Sequence, residues 1–187
     1  MAATALSLGF EPIGFVDDFQ DAEKPVVIGD REFWISRDLN AFRPGTPVHV
    51  ALGDNATRER VSSEVMRAGQ ATITLRHPRA AVEPGARVAV GGYVGPLAVV
   101  GANAHLARGC IVNSGAIVEH DCELGDFCHA APGSVLGGGV RVGLRALLGL
   151  GCRVLPGLRI GHDAVVGAGS VVLRDVADGE TVHGVVN

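Results

Sequence analysis

Two histidines with acidic neighbours stand in the stretch CIVNSGAIVEHDCELGDFCHAAPGS, residues 110–134. His120 lies between Glu119 and Asp121, and His129 follows nine residues later. A histidine takes up a proton near neutral pH, and a carboxylate on its second ring nitrogen fixes the tautomer and raises the basicity. The stretch could therefore supply a general base. From these residues alone, a metal site and two solvated polar side chains on a repetitive surface also stay open.

The segments that carry these histidines follow a period of six residues. Such a period fits neither a helix nor an alternating strand, and it is typical of hexapeptide-repeat β-helices. Three hexads form one triangular coil, so each aliphatic residue is predicted to point inward and to stack on the one three hexads later. Every step of six meets an aliphatic residue: Val82, Val88, Val94, Val100, Leu106, Val112, Val118, Leu124, Ala130, Leu136, Val142, Leu148, Val154, Ile160, Val166 and Val172.

Two other hexad positions are filled by small residues. Glycine often follows the inward residue, and we expect it there because tight corners need positive φ; these are Gly95, Gly101, Gly125, Gly137, Gly143, Gly149, Gly161 and Gly167. All four cysteines share a second inward position, at Cys110, Cys122, Cys128 and Cys152. Their spacings are multiples of six and include no CxxC pair, which predicts buried free thiols in a reducing compartment rather than metal ligands.

The first part of the chain, residues 1–76, lacks this period. It predicts a strand that ends at Asp17 and Asp18, further strands at 47–52 and 71–75, and a helix between these two that is capped by Asp54 or Asn55. Strand–helix–strand order favours a small α/β unit with a parallel sheet, and ligands commonly bind where such strands end. Residues 1–8 are predicted to be helical, and residues 76–85 to lead into the first coil.

Composition excludes several classes of protein. The net charge is −4 and no basic block is present, so nucleic acid is not an expected partner. No apolar run approaches the roughly 18 residues that a membrane helix needs. No signal peptide is visible, and a cytoplasmic location is therefore expected.

Several motifs resemble those of the sugar acetyltransferases of the left-handed β-helix superfamily: GFVDDF, ALGDNATR, HPRAAVEPGA, the histidine stretch and VLPGLRIG. Within it they are most similar to enzymes that N-acetylate UDP-4-amino-sugars and to sialic-acid O-acetyltransferases. The resemblance implies a truncated Rossmann-like α/β domain at 1–76, without the usual first strand and glycine-rich loop, that binds the nucleotide-sugar. It implies a left-handed parallel β-helix at 77–187 that binds acetyl-CoA, and a homotrimer with metal-free active sites between subunits that serves polysaccharide synthesis.

The same resemblance assigns roles to individual residues. His120 is the general base for direct attack by the sugar amine, and Asp121 orients it. Acetyl-CoA contacts fall to His129, Gly138, Leu150 and Ala168, with the Gly138 N–H as a donor to the thioester oxygen. Nucleotide-sugar contacts fall to Asp17, Asp18, Gly53 and Asn113.

Three other functions stay open at this point. Sugar O-acetylation uses the same chemistry, and the sequence does not separate amine from hydroxyl acceptors. A non-catalytic sugar-binding or assembly protein could keep the fold without turnover. A γ-carbonic-anhydrase-like enzyme would hold zinc through three histidines, although the spacing of His120 and His129 is wider than in that class.

Overall fold

A computed structural model describes residues 1–9, 15–16, 26–28, 31–33, 35–36 and 43–187. Most of the described chain is a parallel β-solenoid of about six turns, in which two-residue strands alternate with four-residue corners. Within the described ranges, no helix is long and apolar enough to cross a membrane.

Three parallel sheets form the sides of the solenoid. Sheet 1 contains Leu75–Arg76, Tyr93–Val94, Ile111–Val112, His129–Ala130, Leu147–Leu148, Val165–Val166 and Thr181–Val182. Sheet 2 contains Ala81–Val82, Val99–Val100, Ile117–Val118, Val135–Leu136, Arg153–Val154, Val171–Val172 and Val185–Val186. Sheet 3 contains Arg87–Val88, His105–Leu106, Glu123–Leu124, Arg141–Val142 and Arg159–Ile160. The chain visits the three sheets in turn, which confirms the hexapeptide interpretation of the period.

The core is the stack of inward side chains predicted from that period. Val100 pairs with Val118 and Val118 with Leu136, each pair joining adjacent turns. From Val94 onward, the second residue of every strand is buried, and each such burial stabilises the fold by roughly 1.5–3 kcal/mol. All four cysteines are buried and free, which confirms their prediction as small core residues. The sulfur atoms of Cys110 and Cys128 lie 3.6 Å apart in adjacent turns.

The corner glycines have two separate causes, and the prediction of positive φ directly after the inward residue is wrong. A Cβ at Gly101 or Gly143 would come within 2.5 Å of a backbone nitrogen in the next turn, so close stacking of turns excludes a side chain there. Positive φ occurs two residues further on, for example at Gly115 (φ +63°) and Gly133 (φ +70°). The sequence pattern cannot separate the two causes, because both select glycine.

The described elements ahead of the solenoid are two helices and six short strands. The helices are α1, Ala2–Ser7, and α2, Asn55–Arg67. Phe15–Val16 pairs with Ile35–Ser36 and Pro47–Val48 pairs with Ala71–Thr72, both parallel, whereas Val26–Ile28 and Arg31–Phe33 form an antiparallel hairpin. The predicted α2 cap is confirmed at Asp54, whose side chain accepts a hydrogen bond from the Thr57 N–H at 2.8 Å. A Rossmann-like arrangement of these elements stays a prediction.

The solenoid begins at Leu75, inside the predicted third strand. Leu75–Arg76 pairs with Tyr93–Val94 in sheet 1. Arg76 holds the inward register at the open end of the solenoid and is exposed there, so the aliphatic pattern does not reveal this strand. Helix α1 packs over the outer surface of the same sheet, where the Thr4 hydroxyl hydrogen-bonds the Tyr93 hydroxyl at 3.1 Å.

Candidate active site

His120 and Asp121 form a hydrogen-bonded pair at the corner between sheets 2 and 3. The imidazole Nδ1 lies 2.8 Å from Asp121 Oδ2, and the two side chains are 64% and 59% exposed. Hydrogen bonds from His120 and Asn103 hold the pKa of Asp121 below its usual value. A carboxylate on Nδ1 keeps the proton of neutral His120 on that atom and leaves the Nε2 lone pair free, which is the arrangement of a general base. Of the two flanking carboxylates, Asp121 is the one that pairs with the ring.

Asn103 extends this pair, and the sequence analysis missed it. Its side-chain Nδ2 donates to Asp121 Oδ1 at 3.3 Å from the turn below. Both residues have φ +59°, in a corner position that is glycine at Gly85 and Gly139. Asn and Asp tolerate this left-handed conformation better than other side chains. An Asn stacked one turn below an Asp in that position was the available signal.

Gly138 lies against the His120 ring in the next turn. A Cβ on Gly138 would come 2.6 Å from both Nε2 and Cε1 of His120, so only glycine leaves room for the ring in this position. The neighbouring Gly139 N–H donates to the His120 carbonyl at 2.9 Å and fixes the spacing of the two turns. Among the described residues, the Gly138 N–H has no hydrogen-bond acceptor. An imidazole with a free Nε2 and an available N–H donor therefore stand together at this corner.

A second cluster joins His129, Asn113 and Gly53 where sheet 1 meets the corner to sheet 2. His129 Nε2 lies 3.1 Å from Asn113 Nδ2, and His129 Nδ1 lies 3.3 Å from the Gly53 carbonyl oxygen. Asn113 Oδ1 accepts from the Ser114 N–H at 2.8 Å, so the amide nitrogen faces His129. The imidazole then accepts at Nε2 and donates from Nδ1, a tautomer assigned from the hydrogen-bond network. Burial, and next the charge of Arg58, lower the pKa of His129 and favour the neutral ring.

Of the remaining predicted site residues, two are exposed on the solenoid and two lie outside the described residues. Leu150 and Ala168 are exposed and stack in successive turns at the corner between sheets 1 and 2, beyond Asn113. Asp17 and Asp18 lie outside the described residues. Within one chain, His120 and Gly138 thus share one corner, while Asn113, His129 and Gly53 meet at another.

Over the described ranges, no group of three His, Cys, Asp or Glu side chains is arranged so that it could hold a metal ion.

Known proteins share both sequence and architecture with this chain. PerB from Caulobacter crescentus, solved with CoA and GDP-perosamine, is 36% identical with a TM-score of 0.89, over 97% of this chain and 86% of that one. The acetyltransferase domain of PglB from Neisseria gonorrhoeae, solved with acetyl coenzyme A, is 34% identical with a TM-score of 0.90, over 98% and 89%.

A curated relative supports the same grouping over a shorter stretch. GDP-perosamine N-acetyltransferase of Escherichia coli O157:H7 is 33% identical over 79 residues, which are 42% of this chain and 36% of that protein's length. The matched part thus spans little more than a third of that relative. No protein-family model matches the chain. The identity and coverage of the two solved relatives establish that this chain belongs to the hexapeptide-repeat sugar N-acetyltransferase family.

Proposed function

We propose that this protein transfers an acetyl group from acetyl-CoA to the amino group of a nucleotide-linked amino-sugar. The observation that carries the proposal is the His120–Asp121 pair at an exposed corner, in which Nδ1 lies 2.8 Å from Asp121 and Nε2 has no hydrogen-bond partner among the described residues. Solved relatives support it, since one contains CoA with GDP-perosamine and another contains acetyl coenzyme A. The product would serve the synthesis of a surface polysaccharide, and the enzyme would work in the cytoplasm.

The reaction follows from the chemistry of these groups. The sugar amine attacks the thioester carbonyl carbon, and His120 Nε2 takes the proton that the amine loses as the C–N bond forms. The Asp121 carboxylate stabilises the imidazolium. The Gly138 N–H is available to the oxyanion of the tetrahedral intermediate. Collapse of this intermediate breaks the C–S bond, and the CoA thiolate leaves with the proton that His120 returns.

The nucleotide-linked amino-sugar is proposed to bind to the elements ahead of the solenoid. The names of the relatives favour GDP-perosamine over the UDP-linked sugars that the motifs alone suggested. Gly53 is suited to contact a nucleotide-sugar, because no atom of the described residues lies within 4 Å of the position that a Cβ would occupy, which leaves its backbone open to a ligand. Asp17 and Asp18 are proposed to bind the same ligand, and Asn113 and His129 to line its meeting point with acetyl-CoA, which Leu150 and Ala168 would contact.

We further propose a left-handed solenoid that forms a homotrimer with active sites between subunits. The outer residues of sheet 3 are polar or charged: Arg87, His105, Glu123, Arg141 and Arg159. The outer residues of sheet 2 are aliphatic except for Arg153: Ala81, Val99, Ile117, Val135, Val171 and Val185. Such an apolar face suits contact with another copy. A second copy could also bring the His120 corner of one subunit to the His129 corner of its neighbour.

Thiol release from acetyl-CoA, measured with GDP-perosamine and with UDP-linked amino-sugars, tests the function. Wild type is expected to release CoA with one of these acceptors, and His120→Ala is expected to lower kcat by roughly 10²–10⁴-fold. A His105→Ala variant is the matched control, since His105 is also exposed, on sheet 3, and is expected to keep full activity. Full activity of His120→Ala would contradict the assignment of the base.

A further inference from the structure

The largest fully buried side chain of the described residues is Arg58, on helix α2. It is 1% exposed, and its guanidinium donates to carbonyl oxygens of three separate segments. Nε donates to Gly109 at 2.9 Å, and the two terminal nitrogens donate to Leu52, Gly53, Phe127 and Cys128 and to the Asn55 side chain at 2.6–3.3 Å. A buried cation satisfied by carbonyl dipoles is costly unless every donor is used. Here all three nitrogens of the planar guanidinium have acceptors, so no donor of the buried cation is left unused.

Two of these acceptors flank His129. Arg58 Nη1 lies 3.2 Å from the Gly53 oxygen that also accepts from His129 Nδ1, and Nη2 lies 3.3 Å from the carbonyl of Cys128, the residue before His129. From His129 the chain of contacts continues to Asn113. An amide NH₂ has two N–H groups. One is directed at His129 Nε2, and the other has no acceptor among the described residues.

Both ring nitrogens of His129 are therefore occupied inside the chain, and the second N–H of Asn113 is a donor left free by the described residues. The acceptor on the other side of the ring, the Gly53 carbonyl, decides which nitrogen carries the proton. A proton on Nδ1 leaves Nε2 as the acceptor for one N–H of Asn113, whose Oδ1 is held on its other side by the Ser114 N–H. A proton on Nε2 would instead repel the amide nitrogen.

We propose that Arg58 is a positioning residue that holds the Gly53 carbonyl against His129, so that Asn113 presents its free N–H to an amide carbonyl oxygen on the pantetheine arm of acetyl-CoA, a group that CoA shares. His129 then acts as a relay between Arg58 and Asn113. The choice of acetyl-CoA as the ligand rests on the proposed function, whereas the relay itself does not.

Arg58→Met and Arg58→Lys test the relay, and Arg145→Met is their matched control. The Arg145 side chain also ties α2 to the solenoid, through Glu59 at 2.6 Å, and within the described structure it makes no hydrogen bond or ion pair with His129, Gly53 or Asn113. Nitrogen-15 spectra of the histidine rings would report the tautomer and pKa of His129, with His129→Gln to assign its signals. Calorimetry with CoA would report affinity, and thermal unfolding would report stability.

Both Arg58 variants are expected to give a mixed His129 tautomer and a dissociation constant for CoA about tenfold higher, the loss of one oriented hydrogen bond. Arg58→Met is also expected to raise the His129 pKa, because it removes a positive charge that lowers this pKa in the folded protein. Arg145→Met is expected to lose stability but to keep the tautomer and the affinity within about twofold. Equal shifts in Arg145→Met would reduce Arg58 to a structural role and overturn the proposal.

Asn113→Asp gives a second, independent test at a partly exposed position where folding is expected to survive. Its carboxylate oxygen would face His129 Nε2, favour a protonated ring and remove the free N–H, so the pKa of His129 should rise and CoA affinity should fall about tenfold. Unchanged His129 signals in this variant and in both Arg58 variants would refute the relay. If wild type binds no CoA, the proposed function fails at its cofactor, and the ring spectra alone still decide the role of Arg58.

Discussion

Replacement of Gly138 by alanine should displace the ring of the proposed base, His120, and leave the rest of the proposed active site in place. A Cβ on Gly138 would meet His120 Nε2 and Cε1 at 2.6 Å, whereas ordinary carbon contacts begin near 3.4 Å. The ring must therefore move by about 0.8 Å. A misplacement of about 1 Å can cost about 100-fold in rate, which corresponds to ~2.7 kcal/mol of activation free energy. Alanine keeps the backbone N–H, so the proposed oxyanion donor is preserved.

The assay is steady-state thiol release beside thermal unfolding and CoA binding. Gly138→Ala is expected to lower kcat about 100-fold while the melting temperature hardly changes, because the exposed ring of His120 can swing away. Gly139→Ala is the control: its φ of +69° makes alanine strained and destabilising, but no atom of the described part of the chain lies within 4 Å of its Cβ position, so kcat should be kept. Wild-type kcat in Gly138→Ala would refute the link between this contact and the base. A large loss of CoA affinity would mean that the new methyl group blocks the cofactor instead.

Three further outcomes are expected. Asp121→Asn should keep the fold, since Asn accepts the left-handed backbone. It should lower kcat by up to roughly 10⁴-fold, because the amide no longer fixes the His120 tautomer; unchanged kcat would argue against a catalytic His120–Asp121 pair. Burial lowers the pKa of His49 and His129 in the folded protein, so the unfolded chain binds more protons below pH ~6.5. The free energy of unfolding should therefore fall as pH decreases from ~6.5. It should fall less steeply in a variant that carries both His49→Gln and His129→Gln, as urea titrations at several pH values would show. Leu136→Ala should lower the free energy of unfolding by roughly 2–5 kcal/mol, because the buried side chain leaves a cavity. The same urea titrations would measure this loss, and a loss below about 1 kcal/mol would contradict a tightly packed stack.

The solenoid was predictable because its physics is local and repetitive. Each hexad must supply one inward aliphatic residue, such as Val118, and the requirement recurs at every turn, so a single sequence carries many copies of the signal. The cysteines followed from the same register. The start at Leu75 could not be read in this way, because Arg76 at the open end of the stack has solvent rather than a neighbouring turn beside it.

The candidate site could be predicted from the sequence only in part. His120 with an adjacent carboxylate is visible in the sequence, since both partners are neighbours along the chain. The choice of Asp121 over Glu119, the contribution of Asn103 and the close approach of Gly138 depend on which residues stack in adjacent turns and on the backbone angles at a corner.

The period, the inward residues and the histidine–carboxylate pair could be read from the chain alone, because they depend on neighbours at fixed short spacings. The fold was needed to bring Arg58 of helix α2 to the carbonyls beside His129, since the contacts that join these segments link residues 69 to 76 positions apart along the chain. A buried guanidinium in an otherwise charged, amphipathic helix carries no sequence signal of its own. Its partners are backbone carbonyls, which every residue possesses, so their choice depends entirely on how the chain is folded.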